Sequence, residues 1–489
     1  MTDLIRSLLA PNGREIKLNT GLLINNEFVP GSAPRIASIN PANGKEIVAI
    51  EAASSADIDL AISAARAALN NPDWRDLAPQ KRGAMLGRLA DLVEGDRETL
   101  ATLEAWDNGK PYAVALDEDL TETVTTLRYY AGWADKITGL TFNKAGHTQK
   151  KLGYTLKQPI GVCAQIIPWN YPLSMASWKL GPAIACGNTV VLKPAEQTPL
   201  SSLHLASLIV KAGFPPGVIN ITNGLGYVAG QALVSHKGVD KIAFTGSTAT
   251  AQQIMRAAAS NLTNITLETG GKSPLLVFDD ADIDQAAKWA HLGIMSNQGQ
   301  ICTATSRLLV QRRVSDAFLR KFLDAIEELT VIGDPFNKTT THGPKGREQG
   351  AELLVGGAHP DTDATREGYF INPTVFTNVT QDMDIFQEEI FGPFAVVTLF
   401  DTEEEAVALA NDSAYGLGAA VFSMNVQRVH RIAERLDAGV VWINSSQDSD
   451  VQIPFGGVKQ SGIGRELGEA ALAAYTQEKA IHVNLGLEI

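Results

Sequence analysis

The sequence predicts an α/β protein built on two successive parallel sheets, with a small exposed ribbon beside them. Three observations predict it. Between Gly161 and Gly246 short apolar runs alternate with helical stretches, the pattern of βαβ units. A second alternation begins at Ile265 and runs to Ile443. Thr141 to Pro159, and the tail Ala480 to Asn484, instead change polarity residue by residue, which suits strands with one wet face.

Taken in order, Leu22 to Val29 and Ser38 to Ile50 read as short strands around the turn signals Asn25-Asn26 and Pro41-Ala42-Asn43-Gly44. From Ser55 to Ala105 apolar residues recur at three and four: Ala56, Ile58, Ala61, Ile62, Ala65, Ala68, then Met85, Leu86, Leu89, Leu92, Val93. These are scaffold helices, and the period continues from Leu120 to Ala134. The Thr141 to Pro159 ribbon reads either as a strand pair awaiting another subunit or as a surface hairpin, with the tail able to complete it.

Strands follow at Val162 to Ile167, Thr189 to Leu192, Val218 to Thr222 and Lys241 to Phe244, with helices between them. The second region has strands at Ile265 to Leu267, Pro274 to Phe278, Ser306 to Gln311, Phe370 to Phe376, Phe394 to Phe400, Ala419 to Ser423 and Gly439 to Ile443. Its helices run through Ala286 to Met295 and Ser315 to Leu329. A nucleotide at the carboxyl ends of the first set of strands is the default ligand of such a sheet.

The chain has 489 residues, 45% hydrophobic and 19% charged, enough for two or three domains and unlike a disordered chain. A net charge of −13 argues against nucleic acid or an anionic membrane as the main partner. Cys163, Cys186 and Cys302 are the only cysteines, so no disulfide framework is implied and a reducing, cytoplasmic setting is expected. The N-terminal apolar run stops at Pro11-Asn12-Gly13, unlike a secretory segment. No stretch is long and apolar enough to span a bilayer.

Cys302 follows Asn297-Gln298-Gly299-Gln300-Ile301 and precedes Thr303-Ala304. Polar amides and a glycine on one side and small residues on the other present a cysteine as a nucleophile. The alternative is a buried small hydrophobe. Asn223 to Gly230 contains GxGxxxG after a strand, which is not the dinucleotide fingerprint and is a weak signal for a nucleotide. Phe244-Thr245-Gly246-Ser247-Thr248 is a strand-to-helix turn suited to a phosphate, or simply a helix cap.

Together the motifs Pro168-Trp169-Asn170-Tyr171-Pro172, Lys193-Pro194-Ala195-Glu196, Phe244 to Thr248, Glu268-Thr269-Gly270-Gly271-Lys272, Gly299 to Cys302, Glu388 to Pro393 and Pro454-Phe455-Gly456-Gly457 resemble, in this order and over nearly the whole chain, the NAD(P)-dependent aldehyde dehydrogenase superfamily. The resemblance implies an aldehyde-dehydrogenase-like α/β fold: a Rossmann-like cofactor domain (1–135 and 155–260), an α/β catalytic domain (261–460) and a small β oligomerisation ribbon (136–154 and 470–489). A homodimer or homotetramer acting on a small aldehyde is implied as well, and the sequence suggests no metal site.

The resemblance implies that Cys302 attacks the aldehyde, forming a thiohemiacetal and then a thioester. It assigns the oxyanion to the Asn170 amide and the Cys302 N–H, and the activation of water to Glu268; a capping role is the alternative for Glu268. Glu466 matches the proton-relay carboxylate, with a salt bridge to a neighbour as the competing reading. For the cofactor, Lys193 and Glu196 match the positions holding the adenosine ribose, and a carboxylate there favours NAD. Gly246 and Ser247 would meet the pyrophosphate, Glu389 the nicotinamide ribose and Phe391 the nicotinamide, with Ile166, Trp169 and Gly226 lining the groove.

The substrate pocket implied is Tyr171, Met175, Trp178, Ile301, Thr303, the Ser445 to Asp450 segment and Phe455. The acidic run Ser446 to Asp450 would favour amino- or ammonium-aldehydes, unless it is a solvated loop. Thr269 and Ala251 depart from the family's usual Leu and Gly. A larger departure follows Pro344, where Lys345 to Gln349 leads directly to Gly350 and a helical stretch of relatives is missing. From this come the rival expectations of weakened NAD binding and of a fold-retaining protein with impaired turnover. A cofactor-free thiol esterase is the remaining alternative.

Overall fold

The computed structural model describes residues 4–143, 150–338, 340–341, 353–356, 360, 365 and 367–487. The shortened stretch after Pro344 lies outside the described residues. The first sheet is eight-stranded, in the order Gly462–Ile463, Asn264–Glu268, Lys241–Thr245, Val162–Ile166, Thr189–Lys193, Ile219–Ile221, Leu22–Ile24, Glu27–Val29. Asn264–Glu268 through Ile219–Ile221 are mutually parallel, and the flanking strands are antiparallel. Such a centre needs helices on both faces, and Val190, Val191 and Leu192 are accordingly all buried.

The second sheet is seven-stranded: Leu353–Val355, Thr374–Phe376, Phe394–Phe400, Arg307–Gln311, Pro274–Val277, Gly418–Phe422, Val440–Ile443. All are parallel except Leu353–Val355. Helix Ser315–Leu329 shows why its sequence is helical: Phe318, Phe322 and Ile326 recur every four residues and are buried in the core of this sheet. Truncating either phenylalanine would cost about 3–5 kcal/mol.

The chain passes between the sheets in a way that fixes the site. Strands Val162–Ile166, Thr189–Lys193, Lys241–Thr245 and Asn264–Glu268 end side by side, so the segments starting at Ile166, Lys193, Thr245 and Glu268 meet along one edge. The segments holding Lys272, Cys302 and Phe391 lead into the amino ends of Pro274–Val277, Arg307–Gln311 and Phe394–Phe400. One sheet's carboxyl ends thus face the other's amino ends.

The ribbon is a three-stranded antiparallel sheet in which Thr476–Asn484 pairs along the whole of Lys151–Pro159, and Thr141–Phe142 adds a short edge. Several details differ from expectation. An N-terminal hairpin, Ile5–Leu9 with Glu15–Asn19, was not foreseen, because Pro11-Asn12-Gly13 read as a stop when it is the turn. Phe370 to Phe376 shortens to Thr374–Phe376, since Pro373 has no N–H for a ladder. The helix expected between Val218 to Thr222 and Lys241 to Phe244 starts as a π-turn, Gly226–Gly230, before Gln231–Ser235.

Candidate active site

Three left-handed residues in succession present the cysteine. Helix Ile283–Met295 ends, and Asn297, Gln298 and Gly299 take φ of 46°, 57° and 67°. For a non-glycine residue this costs about 1–2 kcal/mol, so the surroundings must hold it. Asn297 Nδ2 donates to the carbonyls of Asn170 (3.2 Å) and Gln300 (3.3 Å). A Cβ on Gly299 would lie 1.9 Å from the Gly392 carbonyl oxygen. The Glu389 to Gly392 segment therefore packs directly on the cysteine loop.

The paired glycines of the other motifs have the same origin. A Cβ on Gly271 would lie 2.4 Å from the Cys302 carbonyl oxygen, and one on Gly270 would lie 2.2 Å from Glu389 Oε2. A Cβ on Gly456 would lie 2.6 Å from Glu268 Oε1. Bare backbone is what lets Cys302, Glu268 and Glu389 converge.

Cys302 is half-buried. Burial, with the negative charges of Glu389 and Glu268 behind it, pushes its thiol up to about 12. At rest it is a thiol and requires a base. Glu268 is buried, and neither carboxylate oxygen has a hydrogen-bond partner. Burial first, and the charge of Glu466 second, raise its carboxyl well above the ordinary range. A buried carboxylate facing a cavity is suited to moving a proton.

Asn170 Nδ2 donates one N–H to the Gln300 carbonyl at 2.8 Å. The second N–H of that amide is left for a ligand. Asn108 Nδ2 holds the same turn through the Trp169 carbonyl at 2.6 Å. Glu466 forms a buried ion pair with Lys179, whose Nζ also donates to Thr245 Oγ1 at 2.7 Å. Both readings of Glu466 therefore have a basis: it is salt-bridged, and it also lines the cavity beside Glu268.

The catalytic, cofactor and substrate-pocket residues named singly from the sequence line one cavity of roughly 1320 Å³, and of the Ser445 to Asp450 segment Gln447 to Asp450 do so while Ser445 and Ser446 do not. At one end Lys193 Nζ lies 3.3 Å from Glu196 Oε2, and the Gly226 N–H donates to Glu196 Oε1 at 3.4 Å. Burial opposes the charge of Glu196, but Lys193 and these backbone donors hold its carboxyl below the usual range. Ser247 caps helix Thr248–Ala259, accepting from Thr250 N at 3.3 Å. Ile166 and Gly246 lie on the same wall. Trp169 and Phe391 meet edge to face at 5.5 Å, and Glu389 Oε1 accepts from Gly271 N at 3.0 Å.

A dinucleotide fits this end: carboxylates for sugar hydroxyls, a helix N-terminus for phosphate and flat apolar walls. Lys193, already beside Glu196, is the single cationic side chain among the described lining residues. That set suits NAD better than a cofactor with an additional phosphate.

At the other end Trp178 and Phe455 pack edge to face at 5.1 Å, with Tyr171, Met175 and Ile301 completing the wall. Thr303 is clamped twice by Gln447: its hydroxyl donates to Gln447 Oε1 at 2.6 Å, and its carbonyl accepts from Nε2 at 2.9 Å. Asp448 and Asp450 line the mouth. The two departures from the family pattern are absorbed: Thr269 Oγ1 donates to the Gln460 carbonyl at 2.6 Å, and Ala251 is buried in the core.

Sequence reasoning did not anticipate Glu122, which accepts from Trp178 Nε1 at 3.0 Å and lines the substrate end. Burial pushes it up to about 6. It also missed Lys179, although a lone lysine inside the otherwise apolar helix Pro172–Ala185 was a legible sign of a buried ion pair.

A profile of the aldehyde dehydrogenase family matches residues 28–481. An aldehyde dehydrogenase of Emericella nidulans is 50% identical over 483 residues, covering 95% of each chain. The NAD+ complex of an aldehyde dehydrogenase from Bacillus cereus superposes with a TM-score of 0.92 at 45% identity, covering 96% of this chain and 97% of that one. A betaine aldehyde dehydrogenase from Staphylococcus aureus, also with NAD+, gives 0.93 at 39% identity, with 96% of each chain covered.

Proposed function

The chain belongs to the aldehyde dehydrogenase family and oxidises aldehydes to carboxylic acids with NAD; from that premise we propose that Cys302 is the nucleophile and Glu268 the base of the reaction. The observation that carries this is the convergence of Cys302, Glu268 and the spare N–H of Asn170 on one cavity, around glycines that admit no side chain.

NAD, when bound, supplies the hydride acceptor. Glu268 takes the Cys302 proton, and the thiolate Sγ adds to the aldehyde carbon. Asn170 donates to the resulting alkoxide, and removing one such donor typically costs roughly 3 kcal/mol in the barrier. After oxidation the acyl group remains on Sγ as a thioester. Glu268, once it has given up the first proton to solvent, deprotonates water, which attacks the acyl carbon and releases the acid and the thiolate. Acid quenching during turnover should leave the acyl mass on the peptide containing Cys302. Acyl mass on another residue, or on none, would withdraw the assignment. The esterase and impaired-turnover alternatives are not favoured by the close relatives.

Lys193 and Glu196 would hold the adenosine ribose, Ser247 and Gly246 the pyrophosphate, and Glu389 with Phe391 the nicotinamide end. Glu196→Gln removes the charge that would oppose a 2′-phosphate. The ratio of kcat/KM with NADP to that with NAD should rise about tenfold, ~1.4 kcal/mol. An unchanged ratio would take Glu196 out of cofactor choice.

The acidic residues at the substrate end support a cationic aldehyde. With Glu122 held near 6, it is ionised at neutral pH and faces the same space as Asp448 and Asp450. 4-Aminobutyraldehyde should exceed butyraldehyde in kcat/KM by roughly tenfold, and the advantage should shrink as pH falls through about 6. A preference for the alkyl aldehyde would sink this substrate class. The division of the chain into cofactor domain, catalytic domain and oligomerising ribbon is part of the same reading, as are a cytoplasmic setting and a homodimer or homotetramer. Exposed Phe142 and Leu156 on the ribbon support subunit pairing.

A further inference from the structure

Polar side chains stand at both ends of one face of the first sheet, the active-site carboxylates at one end and Lys241 at the other. In strand Lys241–Thr245, Lys241, Ala243 and Thr245 alternate onto one face, as do Asn264, Thr266 and Glu268 on the parallel neighbour. Gln165 stands in register with Ala243 on the other side. A sheet face covered by a helix is normally apolar, so these polar groups require a reason.

At its inner end are Glu268, Thr245 and the Lys179–Glu466 pair. At its outer end the buried Lys241 Nζ donates to Thr266 Oγ1 at 2.7 Å and to Asn264 Oδ1 at 2.9 Å. Asn264 is exposed to solvent. Between the ends, Gln165 Nε2 is committed to the Lys179 carbonyl (2.7 Å) and Tyr475 Oη (3.3 Å). Gln165 Oε1 and Glu466 Oε2 are buried acceptors with no hydrogen-bond partner. Ala243, between Lys241 and Thr245, is buried in the core of the sheet.

We propose that Lys241, Thr266 and Asn264 form a proton exit that carries the proton taken up by Glu268 to solvent at the opposite edge of the sheet. The proposal rests on Glu268 being the base. Orphaned buried acceptors beside buried ammonium groups call for bridging water, and water between Glu466 and Lys241 completes the line. As the water oxygen bonds to the acyl carbon and the C–S bond breaks, Glu268 accepts the proton and Sγ leaves as thiolate. The proton passes to the carboxylate of Glu466. Lys241 releases a proton to solvent at Asn264 and takes one from the inner side, so no charge accumulates.

The groups facing Lys241 are Tyr475, whose ring lies 5.1 Å from Nζ, together with Cys163, Glu466 and Lys179. Burial brings its ammonium down to about 8, within reach of exchange at neutral pH. Lys241 touches neither substrate nor cofactor, and is a positioning and proton-carrying residue only.

The test compares the full-length enzyme with Lys241→Met, Lys241→Ala and Asn264→Val, following by acid quench the formation and decay of the acyl group on Cys302. Formation should be unchanged. Decay should slow about tenfold in Lys241→Met and about threefold in Asn264→Val at pH about 7, and ethylamine should restore it in Lys241→Ala. Decay within twofold of the parent enzyme in both Lys241→Met and Asn264→Val, or equal slowing of formation and decay, would overturn the exit. If Lys241→Met fails to fold, the exposed Asn264→Val decides. Glu268→Gln run alongside separates the two ideas: unchanged decay there withdraws the base, whereas slow decay there with normal decay in the Lys241 and Asn264 variants withdraws only the exit.

Discussion

Cys302→Ala should bind NAD with the affinity of the parent enzyme and form no NADH from aldehyde, with kcat reduced by about 10⁵-fold or more. No neighbour can replace the thiol. The Thr303 hydroxyl donates to Gln447 Oε1 at 2.6 Å, and Cys163 and Cys186 are buried in the core of the first sheet. Burial pushes those two thiols upward as well, so they are inert as well as distant. The variant should fold, because Cys302 Sγ faces the cavity and the glycines around it stay in place. NAD titration by tryptophan fluorescence checks the binding half, and absorbance of NADH checks the chemistry. NADH formation within about tenfold of the parent would move the nucleophile elsewhere. In the parent enzyme a thiol held near 12 is activated only through a base, so the rate of acylation should rise with pH through neutrality.

How far the sequence carries the fold depends on which force shapes each element. Helix Ser315–Leu329 is bounded as expected because a repeating apolar face and local propensity agree. Strands Pro274–Val277 and Gly418–Phe422 were legible as apolar runs between turns. The π-turns Ala115–Asp119 and Gly226–Gly230 were not, since nothing in residue type distinguishes them from α-helix. Gly226–Gly230 accounts for the GxGxxxG pattern: a wide turn that brings backbone up to Glu196.

At the site, residue types revealed the chemistry while spatial neighbours supplied the reasons. Cys302, Glu268 and Asn170 are visible in motifs, but that Gly299, Gly271 and Gly456 exist to avoid Gly392, Cys302 and Glu268 is a fact of three dimensions. Glu122 and Lys241 carried no motif at all; each matters through a partner remote in sequence.

Glu268→Gln should divide the reaction at the thioester. With the general base gone, the first turnover releases NADH as a burst, slowed in reaching its amplitude because the Cys302 proton has lost its acceptor. The acyl-enzyme then persists, and steady-state kcat falls by about 10²–10⁴-fold. In the parent enzyme a carboxyl raised by burial and by Glu466 is protonated, and useless as a base, below its raised value. The acidic limb of kcat should therefore lie above the ordinary glutamate range, near 4.3, and vanish in the variant. The same displacement fixes the sign of a stability change. A carboxyl with a raised folded pKa binds more protons folded than unfolded, so it lowers stability as pH rises above the unfolded value. Above that pH Glu268→Gln should melt at a higher temperature than the parent, while at acid pH the two should converge. A parent-like steady state would remove Glu268 from catalysis, and a lower melting temperature at neutral pH would mean that the orphaned carboxylate is satisfied by contacts stronger than its burial is costly.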